Sequence, residues 1–241
     1  MAGSETRKNA AAKTPRASAA GRAGRRRPDS PPTRTLGFPS AQPDLSPTAR
    51  RLLEAARRLL ERSGYGSLSV DAIGREAGEN KALIRYHFGD KEGLLVALVD
   101  WLMYDTLWEV RRHLSMLEQG EDRLGVIIDD AAKGMLADPH SYELFYDLMP
   151  HLLENPRMAT QLAQLYRAYR ELNTWGFWGD PSDHIPDVVR DLAAMTVALT
   201  DGLAIQLLAE PGSVDVTRAL GVWRSFVEGI LATTPGASGA R

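Results

Sequence analysis

SVDAIGREAGENKALIRYHFGDKEGLL, residues 69–95, holds two short helical patterns around a turn. Ser69 is a capping residue, and Val70, Ile73 and Ala77 recur at helix spacing before Gly78 closes the pattern. Asn80 then caps a second pattern, Lys81 to His87. A supporting helix, a tight turn and a second helix free to enter the major groove are the parts of a helix-turn-helix. Ala77 is small enough for two helices to approach closely, and Gly78 can take the positive φ that the turn needs. Lys81, Arg85, Tyr86 and His87 give the second helix its hydrogen-bond donors. On its own, a helix–glycine–helix pattern also fits two short helices of an unrelated helical protein.

Upstream, Ser46-Pro47 is a capping serine with proline at the first helical position. Leu52, Leu53, Ala56, Leu59 and Leu60 then repeat at helix spacing among Arg50, Arg51, Arg57, Arg58 and Arg62, until Gly64 ends the pattern. Downstream, Gly89-Asp90 starts a long fourth helix through Leu94, Leu95, Leu98, Trp101, Leu102 and Trp108. Further helices are predicted over 122–137, 139–153, 156–175, 186–209 and 214–231, several opening on proline behind Asp138 or Asn155. No stretch alternates as a strand would, and no internal repeat is present. The fold class expected is all-α with about nine helices: an N-terminal three-helix helix-turn-helix domain and a C-terminal helical bundle.

Residues 59–95, LLERSGYGSLSVDAIGREAGENKALIRYHFGDKEGLL, resemble the N-terminal domain of the TetR family of transcriptional regulators. The shared features are Ala55-Ala56, Gly64-Tyr65, Ser69-Val70, Ile73, Ala77-Gly78, Tyr86-His87-Phe88 and Lys91-Glu92-x-Leu94. The likeness is looser beyond residue 100. Two positions depart from the family pattern. Glu79 stands where the turn usually has an apolar residue and is expected to loosen it. Arg85 stands where an aromatic residue is common and can fork onto guanine O6/N7 or bind a phosphate.

The resemblance implies that Lys81, Leu83, Arg85, Tyr86 and His87 face DNA from the recognition helix. Lys91 sits where a helix N-terminus also favours a phosphate. Arg50, Ser67 and Ser69 are further phosphate donors around the first two helices. Plainer roles also fit: Ser69 as a cap, Tyr86 as a packing residue, Lys91 as a solvated lysine and Phe88 as core.

The chain has 241 residues, 44% hydrophobic, with no cysteine, so disulfides and thiolate chemistry are excluded. The net charge of −2 hides a gradient. Residues 1–46 carry nine Lys/Arg and three Asp/Glu, residues 47–91 nine and six, and residues 92–241 eleven and twenty-two. A basic first third suits a polyanion and an acidic remainder avoids it. Residues 1–45 are expected to form a disordered basic arm, because they hold almost no large apolar residues. Their arginines can attract DNA phosphates or merely solubilise. Residues 46–92 form the helix-turn-helix domain, 93–232 the effector-binding and dimerisation domain, and 233–241 a flexible tail.

No uniformly apolar span is present. Val188–Leu208 contains Arg190, Asp191 and Asp201 and is expected to be a buried helix. The arginine run at 25–27 precedes prolines and not an apolar segment, so no export signal is expected and the location expected is cytoplasmic. An Arg-, Ala- and Ser-rich start also fits an organelle transit peptide.

A single recognition helix reads few base pairs, and two-fold dimers solve this with half-sites about 34–36 Å apart. The resemblance implies a homodimer through the last two long helices, here with Thr196, Thr200, Leu203, Leu207, Trp223, Phe226 and Val227 at the interface. Some of these must instead be core. It also implies a pocket for an unidentified small-molecule effector, apolar or amphipathic, bounded by the fourth to seventh helices. Trp101, Tyr104, Trp108, Phe145, Met149 and Tyr169 are its candidate lining, and plain core is the alternative for each. The function expected is a repressor released from a palindromic operator by that effector.

Three other classes bear on the same sequence. An enzyme is not expected: the five histidines make no ligand pattern and there is no phosphate loop or GxSxG, so neither cofactor nor metal is expected. Asp147 and His151 share a helix face but form one pair. A helix-turn-helix regulator answering to a protein partner or to abundance, and a general nucleic-acid binder, remain open.

Overall fold

A computed structural model describes residues 45–118, 121–179 and 185–236, with backbone only at 103–106. The basic arm expected at 1–45 lies outside the described residues but for Leu45, as does 237–241 of the tail. Every regular element among the described residues is helical: nine α-helices and one 3-10 turn.

Capping chemistry sets most boundaries. α1, Pro47–Ser63, opens where the Ser46 hydroxyl accepts from the Ala49 amide at 3.1 Å, and ends at Gly64 with φ 66°. The 3-10 turn Tyr65–Ser67 leads to α2, Val70–Ala77, capped by Ser69. Gly78 takes the left-handed conformation, φ 66° and ψ 28°, as the turn requires. α3 spans Ala82–Phe88, one residue later than the pattern predicts, although Asn80 does cap it by accepting from the Ala82 amide at 2.9 Å.

Glu79 does not loosen the turn. Its carboxylate accepts from Arg51 Nε at 2.8 Å and Nη2 at 2.6 Å, tying the α2–α3 turn to α1. Besides the half-buried Ala77, Gly74 lets the α2–α3 turn fold back closely on α2. A Cβ at Gly74 would lie 3.1 Å from the Glu79 carbonyl oxygen.

α4, Lys91–Met116, is 26 residues long and is capped by Asp90, which accepts from the Gly93 amide at 2.7 Å. It starts in the helix-turn-helix and runs unbroken past residue 92. α5 (Arg123–Ala137), α6 (Pro139–Glu154) and α7 (Pro156–Trp178) begin behind the side-chain caps Asp122, Asp138 and Asn155. α7 outruns its predicted end by three residues, to Gly179 at φ 84°. α8 is Asp187–Ala209, and α9 is Val216–Thr233 behind an Asp215 cap.

The N-terminal core is small and closed: Leu52, Leu53, Ala55, Ala56, Ile73, Leu94 and Leu98 have no solvent exposure. Phe88 packs against it half-buried. The same cluster continues through Phe145, Leu148, Leu172 and Phe177 to Val189, Ala193 and Leu220. α8 is long and apolar enough to cross a membrane by length and composition, with mean hydropathy 1.7. It packs against α6, α7 and α9.

Candidate DNA interface and effector domain

α3 presents an exposed face supported by a buried one. Ile84 is buried and Leu83 packs half-buried against the core, so Leu83 offers DNA only part of its side chain. Lys81, Arg85 and Tyr86 are exposed, and Tyr86 reaches 80%. That leaves most of the tyrosine side chain in solvent. Lys81 Nζ lies 2.7 Å from Asp71. His87 is half-buried, edge-on to Tyr86 with ring centroids 4.8 Å apart.

The arginines of α1 and α3 divide into two groups. Arg51, Arg57, Arg58 and Arg62 are paired with Glu79, Glu61 and Glu76, whereas exposed Arg50 and Arg85 make no ion pair among the described residues. Ser69 caps α2 through its oxygen, which leaves its hydroxyl hydrogen available. The Ser67 hydroxyl instead donates to the carbonyls of Gly64 and Leu59, at 2.7 and 3.0 Å. Half-buried Lys91 opens α4 with Nζ 4.9 Å from the centroid of the Tyr65 ring.

Glu76 joins α1 to α2. Hydrogen bonds from Arg62 and Arg58 hold its carboxyl down at about 2, against an ordinary 4.5. A depressed carboxyl stabilises the fold above its unfolded value, and that contribution disappears as pH falls through the folded one. Glu76→Gln is therefore expected to flatten the loss of thermal stability between pH 4.5 and 2, and parallel melts of both proteins check this. Identical acid limbs would mean that the cluster is fully screened.

Gly93, unread in the sequence, closes the α3–α4 joint. A Cβ there would overlap the carbonyl oxygen of Phe88. The signal was the unassigned position inside Lys91-Glu92-x-Leu94.

In the C-terminal half, a cavity of about 340 Å³ lies between α1, α4, α5 and α6. Of the six predicted lining residues it takes Trp101. Phe145 is buried core, Met149 and Tyr169 pack half-buried against it, and Trp108 is half-buried. The side chain of Tyr104 lies outside the described residues. The cavity adds Arg57, Glu109, His113, Asp130, Lys133 and Tyr142, most of them charged residues outside any predicted site. His113 Nδ1 lies 2.6 Å from Asp130, and the Arg57 guanidinium sits 5.9 Å over Trp101. A residue of the DNA-binding domain thus forms part of the cavity wall.

Behind Tyr142, the Asp201 carboxylate accepts from Tyr166 at 2.8 Å and from Tyr146 at 3.2 Å. Burial raises its pKa, and the two phenols oppose that rise. Burial also pushes the Tyr142 phenol up to about 12. A wider cleft of about 580 Å³ opens where the start of α4 meets the α6–α7 turn.

On the last two helices, Thr196, Leu203 and Val227 are buried in the chain's own core. The Thr196 hydroxyl donates to the Leu192 carbonyl at 2.8 Å and accepts from Trp223 Nε1 at 2.9 Å. Thr200, Leu207 and Trp223 are half-buried, and Phe226 is exposed while stacked on Trp223 at 5.2 Å. The outward face carries Met195 and Ile205 on α8 and Val222 and Phe226 on α9, all exposed. Gly202, Gly221 and Gly229 bring open backbone to the same two helices. Of the seven predicted interface positions, three thus lie inside, three are half-buried and Phe226 faces out, because Thr and Trp at helix spacing suit packing of either kind.

Residues 52–98 match the family model "Bacterial regulatory proteins, tetR family", and residues 120–232 match "BetI-type transcriptional repressor, C-terminal". The regulator CymR of Pseudomonas putida is 30% identical over 97 residues, 40% of this chain and 48% of that protein. The chain thus spans about half the length of that curated relative, and 43% of the repressor AcnR of Corynebacterium glutamicum. BetI 1 of Chromohalobacter salexigens is 25% identical over 76% of this chain and 90% of its own length. Among solved structures, a transcriptional regulator from Pseudomonas aeruginosa PAO1 superposes with TM-score 0.66 at 21% identity, over 79% of this chain and 94% of that one. FadR of Bacillus subtilis in complex with stearoyl-CoA does so with TM-score 0.54 at 16% identity, over 74% and 96%. These two likenesses speak to the fold; the matched models, in register with the exposed α3 and its closed supporting core, place the chain in the TetR family of bacterial regulatory proteins.

Proposed function

We propose that this chain is a cytoplasmic, homodimeric transcriptional repressor that binds a palindromic operator and leaves it when a small amphipathic effector enters the α4–α6 region. The observation that carries the DNA-binding part is the exposed trio Lys81, Arg85 and Tyr86 on a helix whose other face is buried. Two such helices in one dimer read half-sites one helical turn apart. The exposed apolar faces of α8 and α9 support the dimer.

The cavity supports an effector, and its mix of Trp101 and Tyr142 with charged groups favours an amphipathic ligand over a wholly apolar one. Coupling runs through α4, which holds Lys91 at one end and Trp101 in the cavity wall. Arg57 adds a shorter route, because it touches the cavity from α1 and lies 3.8 Å from Asp138.

Binding-site selection with purified protein, followed by footprinting, tests the reading. A two-fold symmetric site is expected, and recovery of unrelated sequences would sink it. On the selected site, Arg85→Ala is expected to weaken binding by about 1–3 kcal/mol and to relax preference at one base pair per half-site, with the melting temperature unchanged. Uniform weakening across all sequences would instead make Arg85 a phosphate contact.

A further inference from the structure

Two helix caps face each other across the boundary between the DNA-binding domain and the rest of the chain. Asp90 caps α4, and its other oxygen accepts from Arg157 Nη1 at 2.7 Å. Asn155 caps α7, and its Nδ2 donates to Glu92 Oε1 at 2.7 Å. The partners are 67 and 63 residues apart in sequence, yet each pair bridges the same two helix starts. Beside them, the Tyr65 ring stacks on His151 at 3.6 Å, and the Tyr65 amide donates to Asp147 at 3.2 Å. The second half of α6 and the start of α7 therefore grip both sides of Lys91, at residues 65, 90 and 92.

The electrostatics of this grip concern DNA. Lys91 is flanked by two carboxylates, Asp90 and Glu92, which would repel an approaching phosphate. Arg157 neutralises the first and Asn155 holds the second by a hydrogen bond. The Asp90 carboxyl is held below its ordinary range first by the Gly93 amide and then by Arg157, as a firmly ionised group is.

We infer that Arg157, although it belongs to the effector domain, is a positioning residue for DNA binding: through Asp90 it fixes the start of α4 and frees Lys91 for a phosphate. This rests on the proposed operator-binding reading. The effector domain then grips the DNA-binding domain at the very place where the latter meets the backbone.

The test is a double-mutant cycle on the full chain, with the operator fragment selected by the wild type as probe. Arg157→Ala is expected to weaken operator binding roughly tenfold, and Arg157→Lys to restore most of it. Asp90→Asn keeps a capping side chain but removes the charge that Arg157 neutralises. If Arg157 acts through Asp90, adding Arg157→Ala to Asp90→Asn costs less than about threefold more.

If Arg157 touched phosphate directly, its removal would cost the same tenfold in both backgrounds. The dependence of log affinity on log salt would also shallow by about one in each. That result overturns the inference, as does an Arg157→Ala protein that binds like the wild type. Failure of the wild type to select any symmetric site would instead defeat the operator-binding reading itself.

Discussion

Phe226→Glu is expected to turn the protein into monomers while leaving its helices intact. Phe226 is 49% exposed, and Val222 on α9 and Met195 and Ile205 on α8 are exposed too. In a protomer the substitution removes a stacking contact with Trp223, a loss of about 1 kcal/mol. In a two-fold dimer each glutamate enters an apolar interface beside its symmetry mate, where desolvation and like-charge repulsion add. Loss of the second half-site is then expected to weaken operator binding by about 10²–10⁴-fold. Sedimentation velocity at micromolar concentration, with titration of full and half operators, checks this. A dimer that persists would move the interface elsewhere.

The second large effect runs against helix propensity. Gly93 lies in the first turn of α4, where alanine ordinarily stabilises by up to about 1 kcal/mol. Here the added carbon would overlap the Phe88 carbonyl oxygen, and backbone cannot swing aside as a long side chain can. The collision wins: Gly93→Ala is expected to cost roughly 3 kcal/mol, a fall in melting temperature of about 6–12 °C for a chain of this size. Operator affinity falls with it, because α3 and α4 must separate. Calorimetry on the two proteins is decisive, and a raised melting temperature would show that the joint relaxes freely.

Legibility in the sequence followed the range of the interactions. Ser46, Ser69, Asn80, Asp122 and Asn155 act on amides two or three residues away, so their helices could be read directly. Gly78 was readable for the same reason, since its positive φ is a local demand. Glu79 was misjudged because its partner, Arg51, is 28 residues distant. The cavity wall depends likewise on distant partners: Glu109 and Lys133 stay exposed, and only the crossing of α4 and α5 brings them together with half-buried Asp130 around one cavity. On α8 and α9 the predicted positions fall on both sides, with Thr196, Leu203 and Val227 inside and Phe226 outside. A helix packed on one side by its own chain and on the other by a partner is apolar all round, so Thr196 and Met195 carry the same signal.

The unbroken course of α4 has a mechanical consequence. Its 26 residues make a rod about 39 Å long at 1.5 Å per residue. A tilt of roughly 5° about the His113 end of the cavity swings the Lys91 end by about 3 Å, close to the 3.4 Å rise per phosphate along one strand. In the proposed two-fold dimer the change between recognition helices would double, so that a small displacement at the cavity would become nearly two base steps of misregister on the duplex. A glycine or proline near residue 100 would instead let the helix bend and absorb such a tilt.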